Sequence, residues 1–107
     1  METKYNSSQS IQIDLGKKNG LTETQLDIYR ETAYSGEQME AIRVSLQEGV
    51  NSIQLKQYCN PAIDYKTLRI IGWALKNKFT QDEIQQVLAA EEPFAVYEDI
   101  LVEKEGH

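Results

Sequence analysis

The feature that most constrains the fold of this chain is an internal repeat with a period of 29 residues. Residues 20–29 return as residues 49–58, with glycine, glutamine, leucine and tyrosine in the same four places. A weaker third copy begins at Lys78 and keeps mainly the apolar positions. Self-similarity at such a period is typical of stacked supersecondary units that bury their apolar sides against one another. We therefore expect an array of repeated units.

Each unit carries the signals of two helices. In the first unit, Thr22 and Ser35 are both followed at the third position by glutamine, the capping-box pattern of a helix start. The apolar residues after Ser35 then recur at i, i+3 and i+7, which is the spacing of one helix face. Gly49 follows where a left-handed C-cap residue belongs. The unit is expected to be a short helix followed by a longer one.

The other two units repeat this plan with different residues. Asn51 and Asp64 replace the hydroxyl caps in the second unit, and a long helix is expected over residues 65–77. The third unit has a capping box at Thr80 and a proline, Pro93, at the first turn of a final helix. We expect the inner face of this last helix to consist of four apolar residues: Phe94, Tyr97, Ile100 and Leu101. The last five residues, 103–107, are expected to fray into solvent.

The N-terminus also fits the period, because residues 6–9 lie over residues 35–38. This match predicts a helix over residues 7–18 that caps the array. The apolar residues Ile11, Ile13 and Leu15 alternate as they would in a strand, so a strand here stays an alternative.

The sequence therefore predicts an all-α fold of six to seven helices with no sheet. We expect one domain over residues 1–107, divided as follows: a disordered tail (1–5), a capping helix (6–19), two repeats (20–48 and 49–77) and a divergent third repeat (78–105).

Composition narrows the class of protein. The chain has 107 residues, the size of one domain, and no run approaches the roughly 20 apolar residues of a membrane-spanning helix. Residues 1–8 lack the apolar stretch of a signal peptide. A single cysteine, Cys59, cannot form an intramolecular disulfide, which favours a reducing compartment. We expect a cytoplasmic protein with no membrane partner.

Charge is distributed unevenly over the repeats. The formal net charge of −6 disfavours bulk nucleic-acid binding, since most of that affinity comes from neutralising phosphates. Residues 49–78 nevertheless hold five bases and one acid, whereas residues 79–107 hold eight acids and one base. The middle repeat is thus basic between acidic neighbours.

The repeat also has a recognisable motif. In the first unit it consists of Gly20-Leu21, Gln25-Leu26, Tyr29, Gln38-Met39, Ile42-Arg43, Leu46 and Gly49. In the second unit it is looser and consists of Gln54-Leu55, Tyr58, Asn60-Pro61, Leu68 and Ile71. This pattern resembles a 29-residue helical repeat of Gram-positive bacterial proteins that are often carried by conjugative or other mobile elements. The resemblance covers residues 20–77 and implies a helical interaction module, with no catalytic residues to carry over.

The sequence contains few residues in arrangements that could support catalysis. The one histidine, His107, is the last residue, and Cys59 has no histidine to activate it. Carboxylate pairs such as Glu91-Glu92 lie near helix starts, where the helix dipole favours acids. Glycine-rich phosphate loops and clusters of metal ligands are missing from the sequence. We expect no enzyme activity, no catalytic residues, no cofactor and no metal site.

One departure from the repeat points to function, a basic and aromatic strip on the longer helix of the middle unit. If Leu68, Ile71 and Leu75 face the core, a rotation of 100° per residue places Trp73 on the opposite side. The strip of candidate partner-binding residues is Lys66, Arg69, Ile70, Trp73 and Lys76. Tryptophan and arginine are enriched at the energetic centres of interfaces. Because a central helix is also packed on both faces, the default expectation is that Trp73 packs between repeats, and a partner-binding patch is the alternative.

The function that this sequence predicts best is a non-enzymatic protein–protein interaction module. The alternative is a nucleic-acid-related role, either weak contact of the basic middle repeat with a single strand or mimicry of DNA charge by the acidic ends. The partner and the oligomeric state are not indicated by the sequence.

Overall fold

The structure, a computed structural model, describes residues 4–106 and consists there of helices without any strand. The seven helices of the described residues are α1 (Ser7–Lys18), α2 (Glu23–Tyr29), α3 (Gly36–Gln47), α4 (Ser52–Tyr58), α5 (Tyr65–Lys76), α6 (Gln81–Ala89) and α7 (Pro93–Glu105). The predicted all-α class and helix number are therefore confirmed. The strand alternative for the N-terminus is wrong, because α1 occupies the predicted residues.

The helix starts recur with the repeat because their caps recur. Six residues at repeat-related positions accept hydrogen bonds from backbone N–H groups of the first turn that follows: Asn6, Thr22, Ser35, Asn51, Asp64 and Thr80. These side-chain acceptors satisfy donors that a helix start otherwise leaves without partners. Only α7, among the described helices, starts without a side-chain cap; it has Pro93 in its first turn instead.

The ends of α1, α3 and α5 share one geometry. The residues that follow their C-caps, Gly20, Gly49 and Lys78, have φ values of 86°, 95° and 61°. The next residue in each case, an apolar one, donates its backbone N–H to the carbonyl five positions back at 2.9–3.1 Å. This is the Schellman arrangement, which normally places glycine in the left-handed position. Lys78 adopts it in the third repeat with a side chain present.

The longer helices α1, α3, α5 and α7 stack in chain order, and the short helices α2, α4 and α6 pack beside them. Two hydrophobic cores result, and α5 belongs to both. Leu68 and Ile71 of α5 are buried in the first core, whereas Ile70 and Ala74 are buried in the second. The sequence prediction that Ile70 lies away from the Leu68 side is thus confirmed.

A pair of glutamines fastens neighbouring repeats together. The side-chain amide of Gln9 donates to two carbonyls of the loop after α2, and that of Gln38 donates to the carbonyls of Pro61 and Ile63 after α4. Thr67 stands one period after Gln38 and makes no such bond in the described part of the chain. Within residues 4–106 the third repeat therefore lacks this hydrogen-bonded link, and its contact with α5 is made by the second core.

The face of α7 that corresponds to the inner side of α5 is charged. Asp99 and Glu103 of α7 stand one period after Ile70 and Ala74, the α5 residues that pack against the third repeat. Both acids are exposed. The third repeat therefore has polar residues at positions where the second repeat has buried apolar ones.

Two predictions about the chain ends need correction. The predicted disordered tail, residues 1–5, extends beyond the described residues, but Tyr5 is half-buried and donates its hydroxyl to the Arg30 carbonyl at 3.1 Å. The predicted fraying of residues 103–107 is wrong for 103–105, which belong to α7. Lys104 is held there by Glu83 of α6 at 2.9 Å. His107 lies outside the described residues.

Candidate functional site

A concavity of about 320 Å³ opens on the surface between α5 and α7. We call it the basic groove, and its lining residues are Tyr65, Lys66, Arg69, Ile70, Trp73 and Phe94. Its walls are aromatic and aliphatic, and two cations stand at its edge. Such a concave, mainly apolar surface with few polar groups is the usual form of a ligand-binding site.

Four of the five residues predicted from the sequence come together here: Lys66, Arg69, Ile70 and Trp73. Ile70 is only 5% exposed, so it forms the floor of the groove and leaves little surface to a partner. The fifth, Lys76, is exposed on the last turn of α5 but does not line the groove. Lys76 is therefore separate from the other four predicted residues, and its part in binding stays a prediction.

Trp73 is both packed and accessible. Its ring meets Phe94 edge-on at a centroid distance of 6.2 Å and lies tilted against Tyr97 at 6.0 Å. Arg69 covers it as well, with the guanidinium carbon 5.2 Å from the ring centroid. The side chain is half-buried and still lines the groove. The sequence left two alternatives for Trp73, packing between repeats and exposure to a partner. In the structure, one part of the ring is packed and another part is accessible.

Arg69 is held in position by an ion pair. One of its terminal nitrogens, Nη1, is buried and lies 3.5 Å from the Glu48 carboxylate, at the C-cap of α3. The Arg69 side chain as a whole is 25% exposed. A guanidinium presents several donors in a planar fork that matches a carboxylate. Because Nη1 faces Glu48, only the exposed part of the guanidinium can meet a carboxylate at the groove.

Aromatic side chains project at the two sides of the groove. Tyr65 is 40% exposed and Phe94 is 48% exposed. Phe94 therefore does not belong to the inner face of α7, as its spacing predicted, although Tyr97 and Ile100 do. Neighbouring exposed apolar residues in one concavity indicate an interaction surface more strongly than isolated ones do.

The packing around α5 differs on its two sides. Gly72 of α5 meets Ser45 of α3 so closely that a β-carbon on Gly72 would collide with the serine side chain. By contrast, large rings fill the space between α5 and the third repeat. Phe79 stacks on Tyr97 with ring centroids 5.3 Å apart, and Trp73 stands beside them where α3 carries Val44. The basic groove thus lies on the side of α5 where large rings, rather than small residues, separate the helices.

Sequence reasoning missed Tyr65 and Phe94, although a signal was present. The two residues are 29 positions apart, so they occupy the same place at the first turn of successive long helices. The first repeat has Gly36 there. The second and third long helices of the repeats thus carry an aromatic residue at a position where the first has glycine. Like Trp73, these residues differ from the first repeat.

Groups with reactive chemistry lie elsewhere or are inert. Burial raises the pKa of the Cys59 thiol to about 12, which keeps it protonated and a poor nucleophile at neutral pH. Among residues 4–106 there is no group of three or more histidine, cysteine, aspartate or glutamate side chains that could hold a metal ion. In the same range, no helix has both the length and the apolar character needed to cross a membrane.

Comparisons with protein-family models, with curated proteins and with solved structures found no match for this chain.

Proposed function

We propose that this protein is a non-enzymatic interaction module, and that the basic groove binds a segment of another protein. The segment would place an apolar side chain against Tyr65, Trp73 and Phe94 and a carboxylate against Lys66 and Arg69. The observation that carries this proposal is a concavity in which two cations, exposed Lys66 and partly exposed Arg69, stand beside two exposed aromatic rings.

The groove has the composition of an energetic centre in an interface. Such centres are enriched in tryptophan, tyrosine and arginine, and they pair a buried apolar anchor with surrounding polar contacts. Aromatic rings bring a large contact area at low conformational-entropy cost. Arg69 is restrained by Glu48 and Trp73 before any partner arrives, so less side-chain order is lost on binding.

Charge favours a partner with acidic residues at this point. Lys66 is exposed and has no ion pair among the described residues. A carboxylate next to the apolar anchor would meet Lys66 and Arg69, whereas a lysine there would be repelled. Complementary charge of this kind gives specificity and a faster association rate more than raw affinity.

The nucleic-acid alternative is less favoured by the geometry. Base stacking needs an open aromatic face. The ring of Trp73 is covered by Arg69 and is also in contact with Phe94 and Tyr97. The third repeat beside the groove is strongly acidic, which repels phosphates. Binding to single-stranded DNA that weakens steeply with added salt would favour this alternative over a protein partner.

Two further parts of the proposal come from the sequence. The resemblance to the Gram-positive helical repeat suggests a protein of a mobile genetic element. The single half-buried cysteine suggests a cytoplasmic protein. Both stay predictions.

The test is selection of binders from a library of random linear peptides displayed on phage. We expect selected peptides to share an aromatic or large aliphatic residue next to an acid. Lys66→Glu is then expected to weaken their binding roughly tenfold or more, about 1.4 kcal/mol or more. The matched control is Lys76→Glu, which makes the same charge change on the same helix outside the groove and is expected to leave affinity nearly unchanged. Equal loss in both variants, or none in either, would contradict the site.

A further inference from the structure

A second groove lies one repeat earlier, between α3 and α5, with a volume of about 180 Å³. We call it the acidic groove, and its lining residues are Glu37, Glu40, Ala41, Val44, Tyr65 and Arg69. It is the same structural feature as the basic groove, displaced by one period of the repeat.

Five of the six residues that line the acidic groove correspond to residues of the basic groove, and two of them carry the opposite charge. Glu37 and Glu40 occupy the repeat positions of Lys66 and Arg69. The apolar positions correspond as well: Ala41 to Ile70, Val44 to Trp73 and Tyr65 to Phe94. The acidic groove is thus the smaller of the two, and its charged edge would attract cations where the basic groove attracts carboxylates.

The two grooves form one continuous surface. Tyr65 and Arg69 line both of them, so the rim of one is the wall of the other. Glu37, Glu40 and Lys66 make no ion pair among residues 4–106. Acidic and basic side chains therefore lie on the same surface without pairing with each other, and both are available to a partner.

We propose that the two grooves together bind one partner segment and read the order of its charges. A larger apolar residue beside a carboxylate occupies the basic groove, and a smaller apolar residue beside a lysine or arginine occupies the acidic groove. This inference rests on the proposed function and adds the chemistry of the partner and its direction.

Geometry limits the spacing within the partner segment. Packed helices lie about 8–10 Å apart, so equivalent points in grooves of successive repeats are separated by a similar distance. An extended chain covers about 3.3–3.6 Å per residue, and its two apolar anchors would therefore be about three residues apart. A segment docked in the opposite direction would bring its carboxylate to Glu37 and Glu40, and such like-charge contact opposes binding.

A partner segment fits these grooves better than a second copy of the chain does. Both grooves are concave and lie side by side, so they admit projecting side chains rather than a flat surface. A second copy also carries a net charge of −6, so two copies repel each other overall.

The test uses the same displayed peptide library, sorted against the full chain and two variants. We expect the wild type to enrich peptides with an acid, two apolar residues and a base in one constant order. With Glu40→Lys, the selected peptides are expected to lose the preference for a base at one end and to keep the preference for an acid at the other. Lys66→Glu is expected to do the reverse. If Glu40→Lys loses the circular-dichroism signal of a folded helical protein, Glu40→Gln replaces it, because this variant removes the charge without reversing it.

One enriched peptide and a second with its acid and base exchanged form the matched pair of synthetic probes. We expect the exchanged peptide to bind roughly tenfold more weakly to the wild type, and Glu40→Lys to reduce this preference.

Equal affinity for both peptides, combined with loss of binding in Lys66→Glu, would overturn the two-groove inference and leave the proposed function intact. Peptide binding unaffected by Lys66→Glu would overturn the proposed function itself. Concentration-dependent self-association in sedimentation, abolished by either Lys66→Glu or Glu40→Lys, would overturn the inference by placing a second copy on this surface.

Discussion

Arg69 lies over the indole ring of Trp73, with its guanidinium carbon 5.2 Å from the ring centroid. The same guanidinium reaches Glu48 at the end of α3. The Arg69 side chain therefore connects α3 to the Trp73 ring, which borders the third repeat. The contact fixes the cation where it borders both grooves. A cation held over an aromatic face is stabilised by the ring quadrupole, most strongly on tryptophan.

Arg69→Ala is expected to lower the free energy of unfolding by about 1 kcal/mol, because it removes a cation–π contact and a partly exposed ion pair. It should also shift the emission of Trp73 to longer wavelength, since the ring loses its cover. Denaturant unfolding and intrinsic fluorescence measure both effects. Lys66→Ala is the control, a neighbouring cation without a ring contact or ion pair among the described residues, and it should change neither quantity.

Gln38→Glu is expected to destabilise the protein by about 1–2 kcal/mol. The carboxylate can still accept the Ser35 N–H in the capping box, but it cannot donate to the carbonyls of Pro61 and Ile63. Gln25→Glu is the matched control, because Gln25 occupies the same capping-box position in α2 and its amide donates no hydrogen bond among residues 4–106. Equal unfolding free energies for the two variants in a denaturant titration would refute the role of Gln38 in fastening the repeats.

Lys78→Gly is expected to stabilise the protein by about 0.5–1 kcal/mol. Lys78 has a φ of 61°, where a β-carbon is strained, and the equivalent positions in the earlier repeats are glycines. Gly49→Ala places a β-carbon in the same conformation, with φ at 95°, and should destabilise by about 1 kcal/mol. Thermal unfolding distinguishes the outcomes. A lower melting temperature for Lys78→Gly would show that contacts of the lysine outweigh the strain.

Acidification is expected to weaken the junction between α6 and α7. The Thr80 backbone N–H, followed by Lys104, holds the pKa of Glu83 below its usual value of 4.5. A lowered folded-state pKa stabilises the fold above about that pH, and the contribution is lost as pH falls through the folded-state pKa.

Glu83→Gln keeps an acceptor for Thr80 but loses the ion pair with Lys104. The variant should therefore be less stable than the wild type near neutral pH, and the difference should shrink as the pH falls below 4.5, the usual glutamate pKa. Lys104→Met removes the same ion pair from the other side and should show the same trend. A stability difference from the wild type that is independent of pH in both variants would contradict this assignment.

The sequence predicts the helices of this protein well because their limits are local. Hydroxyl, amide and carboxylate caps recur with the period, and each acts within one turn of its own helix. The N-terminus, where the sequence also allowed a strand, is a helix with a complete capping box at Asn6 and Gln9. Distant contacts add to this local signal. Gln9 bonds to the loop after α2, and Ile13 packs in the first core while Ile11 stays 53% exposed.

The site was only partly predictable, because it lies between helices. The helix period placed Lys66, Arg69 and Trp73 on one side of α5 correctly. It did not show that Phe94 would contact Trp73 at the side of the groove and stay 48% exposed, since that depends on how α7 packs against α5. The acidic groove was missed for the same reason, because a single helix face does not show which residues two neighbouring helices bring together.

The most direct test of the central claim, that a partner segment binds in the basic groove, is titration of the protein with a selected peptide while the emission of Trp73 is recorded. Trp73 is the single tryptophan of the chain and lines the groove, so no label is needed. The account predicts a saturable change in emission that requires roughly tenfold more peptide in Lys66→Glu and the wild-type amount in Lys76→Glu. Calorimetric binding of the same peptide without any change in Trp73 emission would place the partner elsewhere and contradict the account.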